Sequence, residues 1–359
     1  MAKHRQVIGI FLERSKGLLL RANAYSETDH PLNWEFDYLD QCPLTWHPEK
    51  PSEAIDGLRY FAEIARAHYP ECKSIAVACY GPFQSLTQGS SDYGALHNSA
   101  AHLPLRGQSI PAIFEDVLGT SWTADRDTRL SVHTDANACA LGQAMARKRP
   151  PDWITAHLCI TEGVGMGMVR GTNIFPSALH PEIGLMPVQM RATDPLFVHR
   201  RSPPLYTVNL AQLTDNRSMF ARLRRMERIE NPTLEQLLAC KDEKLWDMRA
   251  FYLAQACLAC AVLASPHQIV IGAEFDALKD VAQRTNTFFR RFMRARERAK
   301  QPVLHYTAFA NPDFISEPKP IPDLPLELSL ASTGAAGMCY AAADAAEGGD
   351  VVKKPNQRI

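Results

Sequence analysis

Short apolar runs alternate with amphipathic ones along this chain, and the alternation predicts most of its elements. Val7 to Glu13 and Gly17 to Ala24 read as two strands around a tight polar turn, Arg14-Ser15-Lys16-Gly17. Residues 25–50 are polar, aromatic and proline-containing and read as a long loop or an insertion. Pro51 and Ser52 then open a helix whose apolar face is Ile55, Leu58, Phe61, Ala62, Ala65 and His68, closed by Pro70. Lys73 to Tyr80 is a buried-type strand ending in Gly81-Pro82. Residues 83–108 are loop-like, and Ser109 to Leu118 is a helix with a proline near its start. Arg129 to His133 is a short strand that stops at Thr134 and Asp135, where an alanine-rich helical run begins at once.

The second half repeats the alternation. Lys148 to Asp152 is a charged, proline-rich break and the best hinge candidate. Trp153 to Thr161 is a strand, and Met166 to Arg170 is its hairpin partner across a glycine-rich turn. Residues 171–208 carry little regular signal, and Asn209 to about Pro266 looks helical. Gln268 to Gly272 is a strand, Asp276 to Lys300 a basic amphipathic helix, Glu327 to Ala331 a strand, and Gly334 to Ala346 a helix of small residues. The last dozen residues read as a frayed tail. Strands alternating with helices in two successive sets imply two α/β lobes. The boundary falls at Asp135, giving lobes 1–135 and 136–340, with a closing segment, 341–359, placed as returning to the first lobe. No repeat of 20–50 residues is visible.

Composition narrows the partners. Among 359 residues, 39 basic side chains balance 39 acidic ones, so nothing favours nucleic acid or an anionic membrane. The arginine-rich face of 276–300 (Arg284, Arg290, Arg291, Arg294, Arg296, Arg298) lacks aromatic interleaving and reads as a solvated outer face. No apolar run approaches the ~20 residues of a membrane helix. The N-terminal apolar run, broken by Glu13 and Arg14, reads as a strand and not as a signal peptide. Nine cysteines are scattered, mostly in apolar runs, and the one CxxC, Cys257 to Cys260, reads as core. An odd cysteine count without an export signal points to a reducing, cytoplasmic location.

The candidate chemistry centres on Asp135. A carboxylate at a strand end, beside the free N–H groups of a helix start, is either a helix cap or a general base facing a cleft. Three glycine-bearing turns follow apolar strands around it: Gly81-Pro82, Thr161 to Gly167, and Gly272-Ala273. Such turns let backbone N–H groups approach phosphate without a Cβ in the way, although tight hairpins need glycine too. Glu182, between Pro181 and Gly184, is either an exposed turn glutamate or a ligand to hydroxyl groups.

In series, these segments resemble the sugar kinases of the ROK family, within the actin-like (ribonuclease H-like) ATPase superfamily, and its bacterial fructokinases most. ACYGPF (78–83) resembles the family's glycine-proline turn and SSDYGALHNS (90–99) the fructokinase segment after it. HTDANACALGQ (133–143) resembles the segment bearing the catalytic aspartate, and TEGVGMGMV (161–169) the second phosphate hairpin. HPEIGLMPV (180–188) resembles the sugar motif, PHQIVIGAEF (266–275) the strand near adenine, and STGAAGMCYAA (332–342) the closing helix beside the nucleotide. The resemblance implies a two-lobed α/β fold with a cleft between the lobes, and in-line transfer of the ATP γ-phosphoryl group to a hexose hydroxyl. It implies Asp135 as general base, with Glu182, His180, Thr134 and Asn137 on the sugar. Ser15, Lys16, Gly163, Gly165, Gly167, Gly272, Ala273 and Gly337 would face the nucleotide. ATP with Mg²⁺, a hexose such as fructose, and a homodimer are the implied partners.

The phosphate loops depart from the pattern. Phe11 stands where the family has the acid that organises hydrated magnesium, and Glu13 and Arg14 replace two glycines, leaving only Ser15 and Lys16. Glu162 brings a negative charge towards a polyanion, a repulsion of roughly 4 kcal/mol at ~4 Å and an effective dielectric near 20, unless Mg²⁺, Lys16 or Arg14 offsets it. Thr134 stands where the family usually has Asn. Leu185 replaces the family's zinc-binding His, and no cysteine lies between Cys159 and Cys240, so no metal ligand set and no zinc are expected. The alternative reading is a degenerate paralogue that binds a sugar or a partner protein and transfers nothing.

Overall fold

The computed structural model describes residues 3–26, 34–68, 72, 74–98, 104–119, 129–175, 181–191, 194, 208–273, 280–298, 313–324 and 329–345. Two five-stranded sheets organise them. In the first, β1 (Lys3–Leu12), β2 (Lys16–Ser26) and β3 (Glu35–Thr45) form an antiparallel ribbon, and β4 (Ser74–Cys79) and β5 (Arg129–Thr134) extend it in parallel, in the order β3-β2-β1-β4-β5. In the second, β6 (Ile154–Ile160), β7 (Val164–Arg170) and β8 (Asn173–Ile174) form the ribbon, and β9 (Gln268–Ala273) and β10 (Ile315–Ser316) extend it, in the order β10-β9-β6-β7-β8. The two sheets therefore share one topology, a duplication carried by strand order and not by sequence.

Period-two alternation divides each central strand between two layers. On β1, Ile8, Ile10 and Leu12 pack with α1 (Pro51–His68) and α2 (Ile110–Leu118), while Val7 and Phe11 face a different core. That second core is built on two helices of small residues, α3 (Asp135–Ala146) and α9 (Leu330–Ala345). α4 (Ala211–Thr214), α5 (Asn216–Glu227), α6 (Leu234–Ala239), α7 (Glu243–Ala264) and α8 (Val281–Arg298) belong to the other side of the second sheet. α7 is long and apolar enough to cross a membrane by length and composition, yet Trp246, Tyr252, Leu253 and Cys257 are core residues there.

The inner helices lie unusually close. A Cβ on Gly337 would come within 2.2 Å of the Ala138 carbonyl oxygen, and one on Gly142 within 2.2 Å of the Thr333 carbonyl oxygen. α9 also lies directly on β1, where a Cβ on Gly9 would meet the Ala335 carbonyl oxygen at 2.2 Å. Such backbone contact needs glycine at the crossing point.

Two elements differ from the sequence expectation. Residues 35–45 form β3 and not a loop; its polar composition is that of an edge strand with largely exposed side chains, and an edge tolerates Pro43. Ala331 lies in a helix and not in a strand: Ser329 Oγ accepts the Ser332 N–H at 3.0 Å, an N-cap that starts α9 at Leu330. Residues 325–328 and 346–359 lie outside the described residues, and with them most of the closing segment expected to return to the first lobe. The helix that packs on the first sheet is 330–345.

Gly337→Ala is expected to cost about 3 kcal/mol or more, the upper end of overpacking penalties, because the obstruction is backbone. Gly163→Ala, where a Cβ meets nothing within 4 Å, is expected to stay within about 0.5 kcal/mol. Equal shifts in the denaturation midpoints of the two variants would refute the close crossing.

Candidate active site

β5 runs directly into α3, and the junction places Asp135 at the first helical position. Thr134 is the N-cap: its Oγ1 accepts the Asn137 N–H at 3.1 Å. Asp135 is therefore not the cap. Its Oδ1 accepts the neighbouring Ala136 N–H at 2.7 Å. Burial pushes its carboxyl up to about 6, against the partial relief of that hydrogen bond. Glu182 initiates the short 3₁₀ turn Ile183–Leu185. Its carboxyl is raised by desolvation and then by the charge of Asp135.

The second hairpin is seated against this junction. A Cβ on Gly167 would meet the Ala136 carbonyl carbon and oxygen at 2.2 Å and the Asn137 nitrogen at 2.4 Å. Asn137 Oδ1 accepts the Met168 N–H at 3.2 Å. Gly184, in the Glu182 turn, lies 2.8 Å by the same measure from the Val164 carbonyl oxygen. α3, β7 and the 182–185 turn thus form one rigid corner.

Several sequence assignments change as a result. Thr134 and Asn137, expected on the sugar, are buried and spend their side-chain oxygens on the helix cap and the hairpin. Gly167 and Gly337, expected at the phosphates and nucleotide, are needed for backbone contact. Gly272 likewise makes room for the His157 ring, whose Cε1 would lie 2.8 Å from an added Cβ. Gly163 and Gly165 leave their approach open, the nearest atom to either being Ala136 Cβ at 3.5 Å from Gly165. Ala273 ends β9 half-buried, paired with Ile160. His180 lies outside the described residues.

The first loop is a closed hairpin turn. Glu13 N–H donates to the Lys16 carbonyl at 2.8 Å, while Trp46 donates its Nε1–H to the Arg14 carbonyl at 2.8 Å and its backbone N–H to Ser15 at 2.9 Å. The Lys16 ammonium is 2.8 Å from Glu13, so the lysine expected at phosphate already has a partner. Phe11 is buried, and its ring lies where a Cβ on Gly334 would stand 2.0 Å away. The end of β1 therefore offers a hydrocarbon surface where the family places its acid, and the implied Mg²⁺ does not fit there.

The strapped turn aims Arg14 across the cleft. Its guanidinium pairs with Glu162 at the tip of the second hairpin, and Arg217 of α5 pairs with the same carboxylate. Burial alone would raise the Glu162 carboxyl, but Arg217 and Arg14 hold it below the usual range. The repulsion expected of Glu162 is thus offset by two cations. Arg14 was visible in the sequence as one of them. Arg217 was not, since it lies on a separate helix 55 residues away whose Asp215 cap gives no hint of the cleft.

No family model matches the chain. Among curated proteins, the fructokinase of Streptococcus mutans is 23% identical over 216 residues, 60% of this chain and 67% of that protein. Among solved structures, the ROK hexokinase from Thermus thermophilus has a TM-score of 0.63 at 16% identity, over 95% of this chain and 99% of that one. A ROK family transcriptional regulator, a homologue of the E. coli MLC protein, has a TM-score of 0.60 at 15% identity, over 94% of this chain and 78% of that one. The class is therefore the two-lobed α/β, actin-like ATPase fold. Within that class the neighbours are ROK family proteins, and the curated relative is a fructokinase. At these identities the likeness establishes the fold, which enzymes and regulators share.

Asp135→Asn should raise the thermal midpoint at pH 7. A carboxyl ionising at about 6 in the folded protein and at 3.8 when unperturbed opposes folding increasingly from pH ~4 to ~6 and constantly above. The gain should vanish at pH 4, and thermal melts of both proteins at pH 4, 5, 6 and 7 check it.

Proposed function

We propose that this protein is an ATP-dependent sugar kinase that phosphorylates a hexose, fructose or a related sugar, in the cytoplasm. The observation that supports the reading is the rigid corner of α3, β7 and the 182–185 turn, which carries Asp135 at the start of α3 and Glu182 at the start of the turn, both with raised carboxyls. Asp135 is the general base: it accepts the proton of the attacking hydroxyl through the carboxylate oxygen not bonded to Ala136. A carboxyl raised to about 6 is a stronger base than a free aspartate while still ionised at neutral pH. Glu182 orients the sugar through hydrogen bonds to its hydroxyls. Arg14 and Arg217, released from Glu162, neutralise the charge of the transferring phosphoryl group, the task that glycine-rich loops perform through backbone N–H groups. Closure of the lobes excludes water, so that sugar is phosphorylated in preference to hydrolysis.

A second reading, a protein that binds sugar without phosphoryl transfer, is favoured by three observations. A buried Phe11 stands where the family has its magnesium-organising acid, Lys16 is paired with Glu13, and Arg14 and Arg217 are both paired with Glu162.

Calorimetry with Mg-ATP, followed by a hexose panel, separates the two. The kinase reading expects saturation at or below millimolar ATP and a kcat/KM that rises with pH through about 6 and then levels. Asp135→Asn should retain sugar binding and lose at least about a hundredfold in rate, the usual contribution of a positioned base. ATP that does not saturate, or an Asp135→Asn protein of full activity, would overturn it. Glu162→Gln should tighten ATP by about tenfold, or 1.4 kcal/mol, by freeing both arginines, and the gain should shrink with added salt.

A further inference from the structure

Three side chains with no part in the cleft chemistry meet behind the second sheet. His157 and Cys159 stand two residues apart on β6, on the face opposite Ala156, Leu158 and Ile160, and Cys139 reaches them from α3. Their ligating atoms, one imidazole nitrogen and two sulfurs, all lie within 4.8 Å of one another, and all three residues are buried. His157 Nδ1 is 3.1 Å from Cys159 Sγ, and Cys139 Sγ is 3.5 Å from the Leu330 carbonyl oxygen. His157 is 0% exposed, yet its Nε2 has no hydrogen-bond partner. The nitrogen turned towards the sulfurs is Nδ1, whose partner is a thiol, a weak hydrogen-bonding group, and this is the nitrogen placed to bind an ion.

We propose that Cys139, His157 and Cys159 bind a structural Zn²⁺ that fastens the base-bearing helix to the second sheet. Sulfur and imidazole donors select zinc or copper(I) over magnesium or calcium. Charge decides between the first two. The surroundings are apolar, including Ala136, Ala138, Val169 and Leu330. Two thiolates with a divalent ion and a neutral imidazole sum to zero, whereas copper(I) leaves a net negative charge in hydrocarbon. Tetrahedral zinc separates its nitrogen and sulfur ligands by about 3.5 Å, so the observed 3.1 Å needs only a small relaxation. The Leu330 carbonyl is an oxygen already at the cluster for the fourth position. These donors are distinct from the ROK zinc motif, where Leu185 stands in place of the histidine, and the proposal runs against the expectation of no zinc.

Cys139 lies one helical turn beyond Asp135, so a metal there fixes the rotation of α3 and with it the direction of the base. Binding one Zn²⁺ releases the two thiol protons to solvent, and affinity therefore falls as pH is lowered. The residues act by positioning and touch no substrate.

The test is an anaerobic titration of the full, reduced chain with Co²⁺, then displacement by Zn²⁺. The expected result is one Co²⁺ per chain with tetrahedral absorption and charge-transfer bands of two thiolates, about two protons released, and full displacement by Zn²⁺. Cys139→Ser with Cys159→Ser should abolish the signal, while Cys257→Ala with Cys260→Ala should leave it intact. X-ray absorption on the unaltered zinc-loaded protein gives a reading that does not depend on any variant folding, with two sulfurs expected in the shell. A wild-type shell without sulfur, failure to bind either metal, or an undiminished signal in the Cys139/Cys159 variant would overturn the site.

Discussion

The crossing of α3 and α9 is the contact on which the rest of the molecule depends. At this crossing the two helices touch through backbone, not side chains, at Gly142 and Gly337, and the same pair bears on β1 at Gly9 and on β7 at Gly167. A backbone contact has no soft torsion to absorb a shift, unlike a leucine interface, where rotamers can adjust. The corner that carries Asp135 therefore inherits its precision from four glycines, three of them well away from the carboxylate. It also explains why these helices are so rich in alanine. Their hydrophobic contribution per residue is small, but close approach recovers it as dispersion across an extended interface.

The same economy of space reshapes the electrostatics. A phosphate loop built of glycine offers backbone dipoles at short range, whereas the β1–β2 turn of this chain carries the charged side chains of Glu13 and Arg14. The β1–β2 turn is fixed by Trp46 through two of its carbonyls, so the turn cannot wrap an anion, but it presents Arg14 in a defined direction. Glu162 then satisfies Arg14 and Arg217 together when nothing else does. The pairs are partly exposed, so they add little to stability. Their consequence is for binding: an incoming anion must compete with a carboxylate that is already attached to the protein.

Local elements and the order of the segments were legible in the sequence because they rest on local rules. The Thr134-Asp135 junction, the proline-led α1 and the apolar β4 each follow from capping or periodicity. The duplicated sheet topology was not legible, since strand order is set by long-range pairing that leaves no repeat in the residues. β3 was missed because an edge strand has no hydrophobic run to announce it. The start of α9 was missed because the apolar stretch before Gly334 reads equally well as a strand, and only the Ser329 cap decides it. Glycine misled most. A sequence glycine signals that a Cβ is not tolerated, but it does not say whether a phosphate or a neighbouring helix is the reason. At Gly167, Gly272 and Gly337 the reason is protein.

That distinction also separates what can vary in this fold from what cannot. Phe11, Glu13, Arg14 and Glu162 all depart from the phosphate-loop pattern while their strands keep their register. Loop residues of this kind change without disturbing the crossing helices, because they touch each other and solvent more than they touch α3 or α9. Phe11 is the exception. Its ring reaches Gly334, and so the loss of an acid at the end of β1 is coupled to the packing of the closing helix. Restoring a carboxylate at position 11 would place an unpaired charge against α9 and desolvate it, at a cost of several kcal/mol unless a cation accompanies it. The departure at Phe11 is therefore held in place by the core, whereas those at Arg14 and Glu162 rest on a partly exposed ion pair.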